Sequence, residues 1–71
     1  MSGGRRERRF RAGDTGWLVK IIWVQPPGAA VASQFYQVRH GSYLVRETID
    51  VSQVRRVLGD DLFAQLQEVD L

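Results

Sequence analysis

The stretch FYQVRHGSYLVRETI, residues 35–49, decides the fold, because it reads as two short strands joined at Gly41-Ser42. A two-residue loop that begins with glycine favours a type II′ turn, since glycine adopts a positive φ without steric cost. Regular pairing around this turn places His40 opposite Tyr43 and runs outward to Tyr36 opposite Glu47. The stretch therefore predicts a β-hairpin at the centre of a small sheet.

This pairing also predicts two different faces, because cross-strand partners point to the same side of a sheet. The face expected to meet the core near Val38 and Val45 carries Tyr36, Val38, His40, Tyr43, Val45 and Glu47. The face expected to be mostly solvated carries Phe35, Gln37, Arg39, Leu44, Arg46 and Thr48.

Length and composition bound the rest of the chain. The 71 residues suffice for one domain near the lower size limit for independent folding. The sequence has no cysteine, which excludes disulfides and thiolate metal sites and fits a cytoplasmic protein. Lys20 and the Pro26-Pro27 pair interrupt the apolar segment 17–38, so we expect no insertion into a membrane.

The net charge of +2 conceals a strong asymmetry along the chain. Residues 1–12 contain five arginines and one glutamate, whereas residues 59–71 contain four acidic residues and no basic one. Charges of one sign repel each other, and Ser2-Gly3-Gly4 has no side chain to bury. We therefore predict a flexible Arg-rich arm over residues 1–12 and a single small β-rich domain over residues 13–71.

The domain opens with a predicted turn, Gly13-Asp14-Thr15-Gly16, followed by a strand. Residues 17–24, WLVKIIWV, alternate between a wholly apolar face and a second, mostly apolar face that includes Lys20. β-Branched and aromatic residues favour a strand here. The Pro26-Pro27-Gly28 sequence ends it and begins a loop over residues 25–33.

The sequence after the hairpin allows two interpretations of the secondary structure. Asp50 with Gln53 three residues later is close to a capping box, which predicts that a helical turn begins at residue 51 of the segment 51–58. These residues could form a helix, or a short helical turn followed by a last strand, and the second interpretation is slightly favoured. Asp60-Asp61 then predicts the start of a C-terminal helix over residues 62–69, with an apolar stripe on one side.

The sequence offers no convincing catalytic constellation and no cofactor motif, so we predict a protein that is not an enzyme. His40 is the single histidine, and a lone histidine beside a turn lacks a partner that the sequence can identify. One histidine and no cysteine give no zinc pattern. The aromatic pair Trp17 and Trp23 is interpreted mainly as core, while Tyr36 and Tyr43 fit either a core or an exposed rim.

The pattern from Gly13 to Leu58 resembles a small SH3-like barrel of the KOW or Tudor kind. The turn before residue 17, the long first strand and the hairpin FYQVRHGSYLVRE carry this resemblance. It implies a small antiparallel barrel that acts as a binding module. The alternative fold is a three-stranded meander covered by short helices, and both versions include the C-terminal helix.

Two functions follow from these observations. The first is nucleic-acid binding, in which arginines contact phosphates through their planar donor groups. The residues predicted for this role are Arg5, Arg6, Arg8, Arg9, Arg11, Arg39 and Arg46. The second is an accessory or regulatory subunit that docks on a larger protein complex through its C-terminal helix or an exposed sheet edge, with an acidic protein surface or a second copy of the chain as partner. The residues predicted for that docking are Leu62, Phe63, Leu66 and Val69.

Overall fold

The fold is an antiparallel sheet with two short helices, seen in a computed structural model that describes residues 4–69. The strands are β1 (Gly4–Ala12), β2 (Trp17–Gln25), β3 (Ser33–His40), β4 (Tyr43–Thr48) and β5 (Leu66–Val69). The helices are α1 (Val51–Leu58) and α2 (Asp60–Ala64). The strands lie in the order β4-β3-β2-β1-β5, and each neighbouring pair is antiparallel. The prediction of a mainly β protein is confirmed.

The sheet is open rather than closed into a barrel. β4 and β5 occupy its two edges, and these two strands do not pair with each other within the described residues. The chain passes from one edge to the other through α1 and α2, which pack on one face of the sheet. The first four strands form a meander, so the sheet is larger than the three-stranded alternative.

The Arg-rich segment is a strand and not a flexible arm, which corrects the prediction for residues 4–12. β1 pairs with β2 along its length, and β5 pairs with β1 from Arg9 to Ala12. Ala12 is buried and Phe10 packs against the core, and these two alternate positions hold β1 on the domain. The long arginine side chains between and before them keep their charged groups in water. Residues 1–3 of the predicted arm lie outside the described residues.

The central hairpin forms at the predicted turn but with a different outer register. Gly41 has a φ of 60°, and the pairs His40–Tyr43 and Arg39–Leu44 are as predicted. The next pair is Val38–Arg46, so Val45 is an extra residue in a β-bulge. The bulge reverses the side on which the following residues point. Consequently Val45 is exposed, and its predicted place in the core is wrong.

Residues 51–58 form one continuous helix, so the favoured version with a last strand is wrong. The Asp50 side chain accepts a hydrogen bond from the backbone N–H of Ser52, at 3.0 Å, and caps the helix start. This contact lowers the pKa of Asp50, since the hydrogen bond favours the carboxylate. Val54 and Leu58 lie four residues apart and are both buried, which secures the helix on the sheet.

The predicted C-terminal helix is shorter than expected. α2 ends at Ala64, and the chain then becomes β5, which pairs Leu66 with Ala12 and Val69 with Arg9. Without β5, the outer edge of β1 would have unpaired backbone N–H and C=O groups there. Hydrogen bonds to these groups favour a strand over the helix that the local spacing of apolar residues also fits. Residues 70 and 71 lie outside the described residues.

The two faces of the sheet differ in what covers them. We call "helix face" the side that carries Val19 and Val38, because these residues form the core with Val54 and Leu58 of α1. We call the other side the "open face", since neither helix packs on it within residues 4–69. Ile22 points to the open face and is nevertheless 0 % exposed.

Candidate nucleic-acid interface

The open face gathers basic side chains from three neighbouring strands. Register places Arg11, Leu18 and Arg39 in one row across β1, β2 and β3. A second row consists of Arg9, Lys20 and Gln37. Since paired residues share a face, both rows lie on the same surface. Four cationic side chains thus come from strands that lie side by side.

Carboxylates are few on this surface. Glu7 lies 4.0 Å from the Lys20 ammonium and 3.8 Å from Arg5, and Glu47 accepts a hydrogen bond from the Gln37 amide at 2.9 Å. Within residues 4–69, neither Arg9, Arg11 nor Arg39 forms an ion pair with a carboxylate. Across the described part of the open face, the charged side chains are Arg5, Glu7, Arg9, Arg11, Lys20, Arg39 and Glu47. The surface therefore carries a clear positive excess.

Arg39 is held in place by its own strand and turn. Its guanidinium donates a hydrogen bond to the Ser42 carbonyl oxygen at 3.3 Å and makes a longer contact, 3.5 Å, with the Gln37 side-chain oxygen. Both acceptors are neutral, so the positive charge stays available to an anion. A guanidinium that is already oriented loses less conformational entropy when it binds one.

The structure divides the seven arginines predicted for nucleic-acid binding between the two faces. Arg5, Arg9, Arg11 and Arg39 lie on the open face. The bulge at Val45 turns Arg46 to the helix face, where it donates a hydrogen bond to Gln53 of α1 at 3.3 Å. Arg6 and Arg8 also point to the helix face. The pairing of Arg39 with Arg46 on one surface, expected from an unbulged hairpin, is wrong.

Lys20 is the basic residue of the open face that the sequence prediction missed. It was assigned to the second, mostly apolar side of β2, and only the pairing of β2 with β1 and β3 brings it beside arginines. Strict alternation in residues 17–24 is the sequence signal for its position, because it places Lys20 on the side of β2 opposite the fully apolar one.

Arg8 is the arginine of β1 that another part of the chain already binds. Its guanidinium makes two hydrogen bonds to the carboxylate of Glu68 on β5, the one from Nε at 2.8 Å. These hydrogen bonds lower the pKa of Glu68 and raise the pKa of Arg8. Arg8 therefore ties β5 to β1 instead of offering a free cation.

A polar pocket lies at the end of the helix face, beyond the core. It measures about 410 Å³ and is lined by Arg6, Glu7, Arg8, Trp23, Gln25 and Ala32. The Trp23 indole N–H donates to the Gln34 side-chain oxygen at 2.9 Å, and the Gln34 amide donates to the Tyr36 hydroxyl at 3.0 Å. Trp23 is thus held in a fixed position, although it is not among the side chains packed on the described core.

The other aromatic residues have different surroundings. Trp17 packs against the core, as predicted, and its ring lies 4.7 Å from that of His40. His40 Nε2 lies 3.2 Å from the Thr15 carbonyl oxygen, so the ring N–H donates to the backbone. Tyr36 packs against the core, whereas Tyr43 is exposed.

The apolar stripe predicted for partner docking is mostly used inside the domain. Leu62, Phe63 and Leu66 pack against the core, and Val69 is half-buried in β5. An apolar groove of about 260 Å³ remains between the helices and the sheet. Its lining comprises Phe10, Val19, Ile21, Tyr36, Val51, Val54, Phe63 and Leu66.

Comparison of the chain with protein-family models, with curated proteins and with solved structures finds no match. Neither helix within residues 4–69 has the length and apolar character needed to cross a bilayer. The described residues also contain no group of three or more side chains suited to hold a metal ion.

Proposed function

We propose that this protein is a non-enzymatic nucleic-acid-binding module that contacts phosphates with the open face of its sheet. The observation that carries this proposal is the row arrangement of Arg9, Arg11, Lys20 and Arg39 on three adjacent strands. Such a surface suits a backbone whose charges repeat at regular intervals. Binding of this kind is largely independent of base sequence and weakens steeply with salt.

The distribution of acidic residues supports the same surface. Asp50 caps α1, Asp60 and Asp61 begin α2, and Glu68 is held by Arg8 on the helix face. Within residues 4–69, these four carboxylates therefore lie on the helix side of the sheet, and Glu7 and Glu47 are the carboxylates of the open face. A polyanion approaching the open face meets the basic rows first, and electrostatic attraction speeds this encounter.

The test is a salt series of fluorescence anisotropy with labelled single-stranded and duplex oligonucleotides. We compare the wild type with R11Q/R39Q, which removes two charges from the open face. R46Q/R56Q is the matched control, since it removes two exposed arginines outside that face. Substitutions are preferred to removal of residues 1–12, because that truncation deletes strand β1 and with it the pairing partner of β2 and β5.

We expect R11Q/R39Q to bind more weakly and to reduce the slope of log K against log salt by about two, one for each lost phosphate contact. R46Q/R56Q should keep most of the affinity and of the slope. Equal losses in the two variants would show that the open face is not the binding surface. No binding by the wild type at low salt would reject nucleic acid as the ligand.

The apolar groove favours a second candidate, an accessory or regulatory subunit of a protein complex. Val51 lines this groove and remains 47 % exposed, and the neighbouring Ile49 is 83 % exposed. An acidic protein or a second copy of the chain are the partners considered. V51R should abolish such an association, measured by sedimentation velocity over a concentration series for the homo-oligomer and by pull-down for other partners.

The remaining expectations accompany this proposal. Three expectations stay predictions from the sequence: the resemblance to an SH3-like barrel, the absence of a cofactor and a cytoplasmic location.

A further inference from the structure

The polar pocket beside Trp23 has features that the open face lacks. Register places Arg6 opposite Trp23 and Gly4 opposite Gln25, so the pocket lies where β1 and β2 extend beyond the helices. Ala32, from the loop before β3, completes its wall. Its volume of about 410 Å³ falls within the range of small-molecule sites.

We propose that this pocket receives one unstacked base of a single-stranded nucleic acid, an inference that rests on the proposed function. Trp23 supplies an aromatic ring, and every base has a π-face that can stack on one. The hydrogen bond from its indole N–H to Gln34 holds the ring before any ligand arrives. A preorganised ring adds binding without a further cost in side-chain entropy.

The polar groups around the indole suit a base and its phosphate, and the one carboxylate in the described lining, that of Glu7, is already paired with Arg5 and Lys20. The Gln25 amide N–H donates to the Ala29 carbonyl at 3.1 Å, which leaves the side-chain oxygen of Gln25 as an acceptor for a base N–H. Arg6 forms no ion pair with a carboxylate in the described part of the chain, whereas Arg8 is held by Glu68. Arg6 is therefore the cation that contacts the phosphate of the bound nucleotide.

A path connects this pocket with the open face around the edge of β1. β5 pairs with β1 only from Arg9 onward, so within the described residues the outer side of residues 4–8 carries no neighbouring strand. Arginines alternate along this edge, with Arg5 on the open face and Arg6 on the pocket side. A flexible single strand can follow these charges from one face to the other.

The two surfaces together select for single strands. In a duplex the bases are paired and stacked, so filling the pocket requires a base to be extruded at the cost of its pairing and stacking. A single strand has no such cost. Duplex DNA should then bind through the open face alone, and single-stranded DNA through the open face and the pocket.

The test measures anisotropy of a labelled eight-nucleotide single strand and of a duplex of the same sequence. W23L removes the aromatic ring from the pocket, and Y43L is the matched control that removes an exposed ring elsewhere. We expect W23L to weaken single-strand binding roughly ten-fold, the size found for loss of one base–aromatic stack. Its duplex affinity and its salt slope should remain those of the wild type, and Y43L should change nothing.

Circular dichroism establishes that W23L is folded before it is compared. If it is not, the wild type is titrated with single strands that carry an abasic site at each position in turn, which leaves the protein unaltered. Loss of affinity with an abasic site supports the pocket. Equal single-strand binding by folded W23L and wild type, or indifference to every abasic site, overturns the pocket but not the basic face. Absence of binding by the wild type to either oligonucleotide overturns the proposed function itself.

Discussion

The two faces of this one sheet are made by the same strands and have opposite characters. On the helix face, Val38 is 0 % exposed beneath Val54 of α1, and both belong to the apolar core cluster. On the open face, the neighbouring residue Arg39 lies between Leu18 and Leu44 and keeps its charge in solvent. Alternation along a strand allows this, because successive side chains point to opposite sides.

The difference between the helix face and the open face explains how the Arg-rich segment becomes a strand of the sheet. In β1, Phe10 and Ala12 pack inward while Arg9 and Arg11 point to the open face. A charge-rich composition predicts disorder only when apolar residues are too few to bury. Here two apolar positions suffice, together with a backbone that pairs with β2 along the strand and with β5 from Arg9 onward, so the segment that supplies structure also supplies the basic surface.

The largest expected effect comes from placing a charge on each face in turn. V38D buries a carboxylate that has no partner, which we expect to cost about 4 kcal/mol or more. That approaches the whole stability of a domain of this length, roughly 4–10 kcal/mol, so V38D should be unfolded. Leu44 is 41 % exposed on the open face, and L44D should cost at most about 1 kcal/mol. Urea denaturation followed by circular dichroism measures both, and similar losses would contradict the division of the sheet.

Ile22 is buried on the open face, although no helix within residues 4–69 packs above it. Its cross-strand neighbours there are Glu7 and Phe35. We expect I22A to cost about 2–5 kcal/mol, the range for truncating a fully buried aliphatic side chain. A cost below about 1 kcal/mol, measured from urea denaturation midpoints, would show that the open face contributes nothing to the core. I22V, with an expected cost of about 0.5–1.5 kcal/mol, is the control for the size of the removed group.

The smallest effect concerns the ion pair between Arg8 and Glu68 at the β1–β5 junction. Its hydrogen bonds place the folded-state pKa of Glu68 below the ordinary value of 4.5. The stabilisation is therefore present above that value and is lost as the pH falls through the lowered pKa. E68Q should melt at a slightly lower temperature than the wild type at pH 7, and the difference should shrink as the pH falls below the ordinary value of 4.5 and Glu68 becomes protonated.

R8Q provides the control for this pH dependence, because it removes the partner and leaves the carboxylate. Its melting temperature should approach that of E68Q at neutral pH, and the double variant should add little to either. A difference between wild type and E68Q that does not shrink at all as the pH is lowered stepwise from 7 to the acid limit of folding would contradict the assignment to the carboxylate.

Local sequence determined the elements whose signals are complete within a few residues. The strand over residues 17–24, the turn at Gly41-Ser42 and the cap at Asp50 were predicted and are confirmed. Each depends on a nearby cause: alternation of apolar residues, a positive φ that glycine tolerates, or a side-chain oxygen within reach of a backbone N–H.

Tertiary structure alone decided the elements that depend on a distant partner. β1 forms because it pairs with β2, and β5 forms because it pairs with β1 across more than 50 residues of sequence. Neither strand has a local sequence signal for its pairing partner. The bulge at Val45 arises where β4 must pair with β3 while Arg46 reaches Gln53 of α1. Sequence thus determined which residues are cationic and which strands alternate. Only long-range pairing decided which cations share a surface, because strand register depends on how two segments pair and is not encoded in either segment alone.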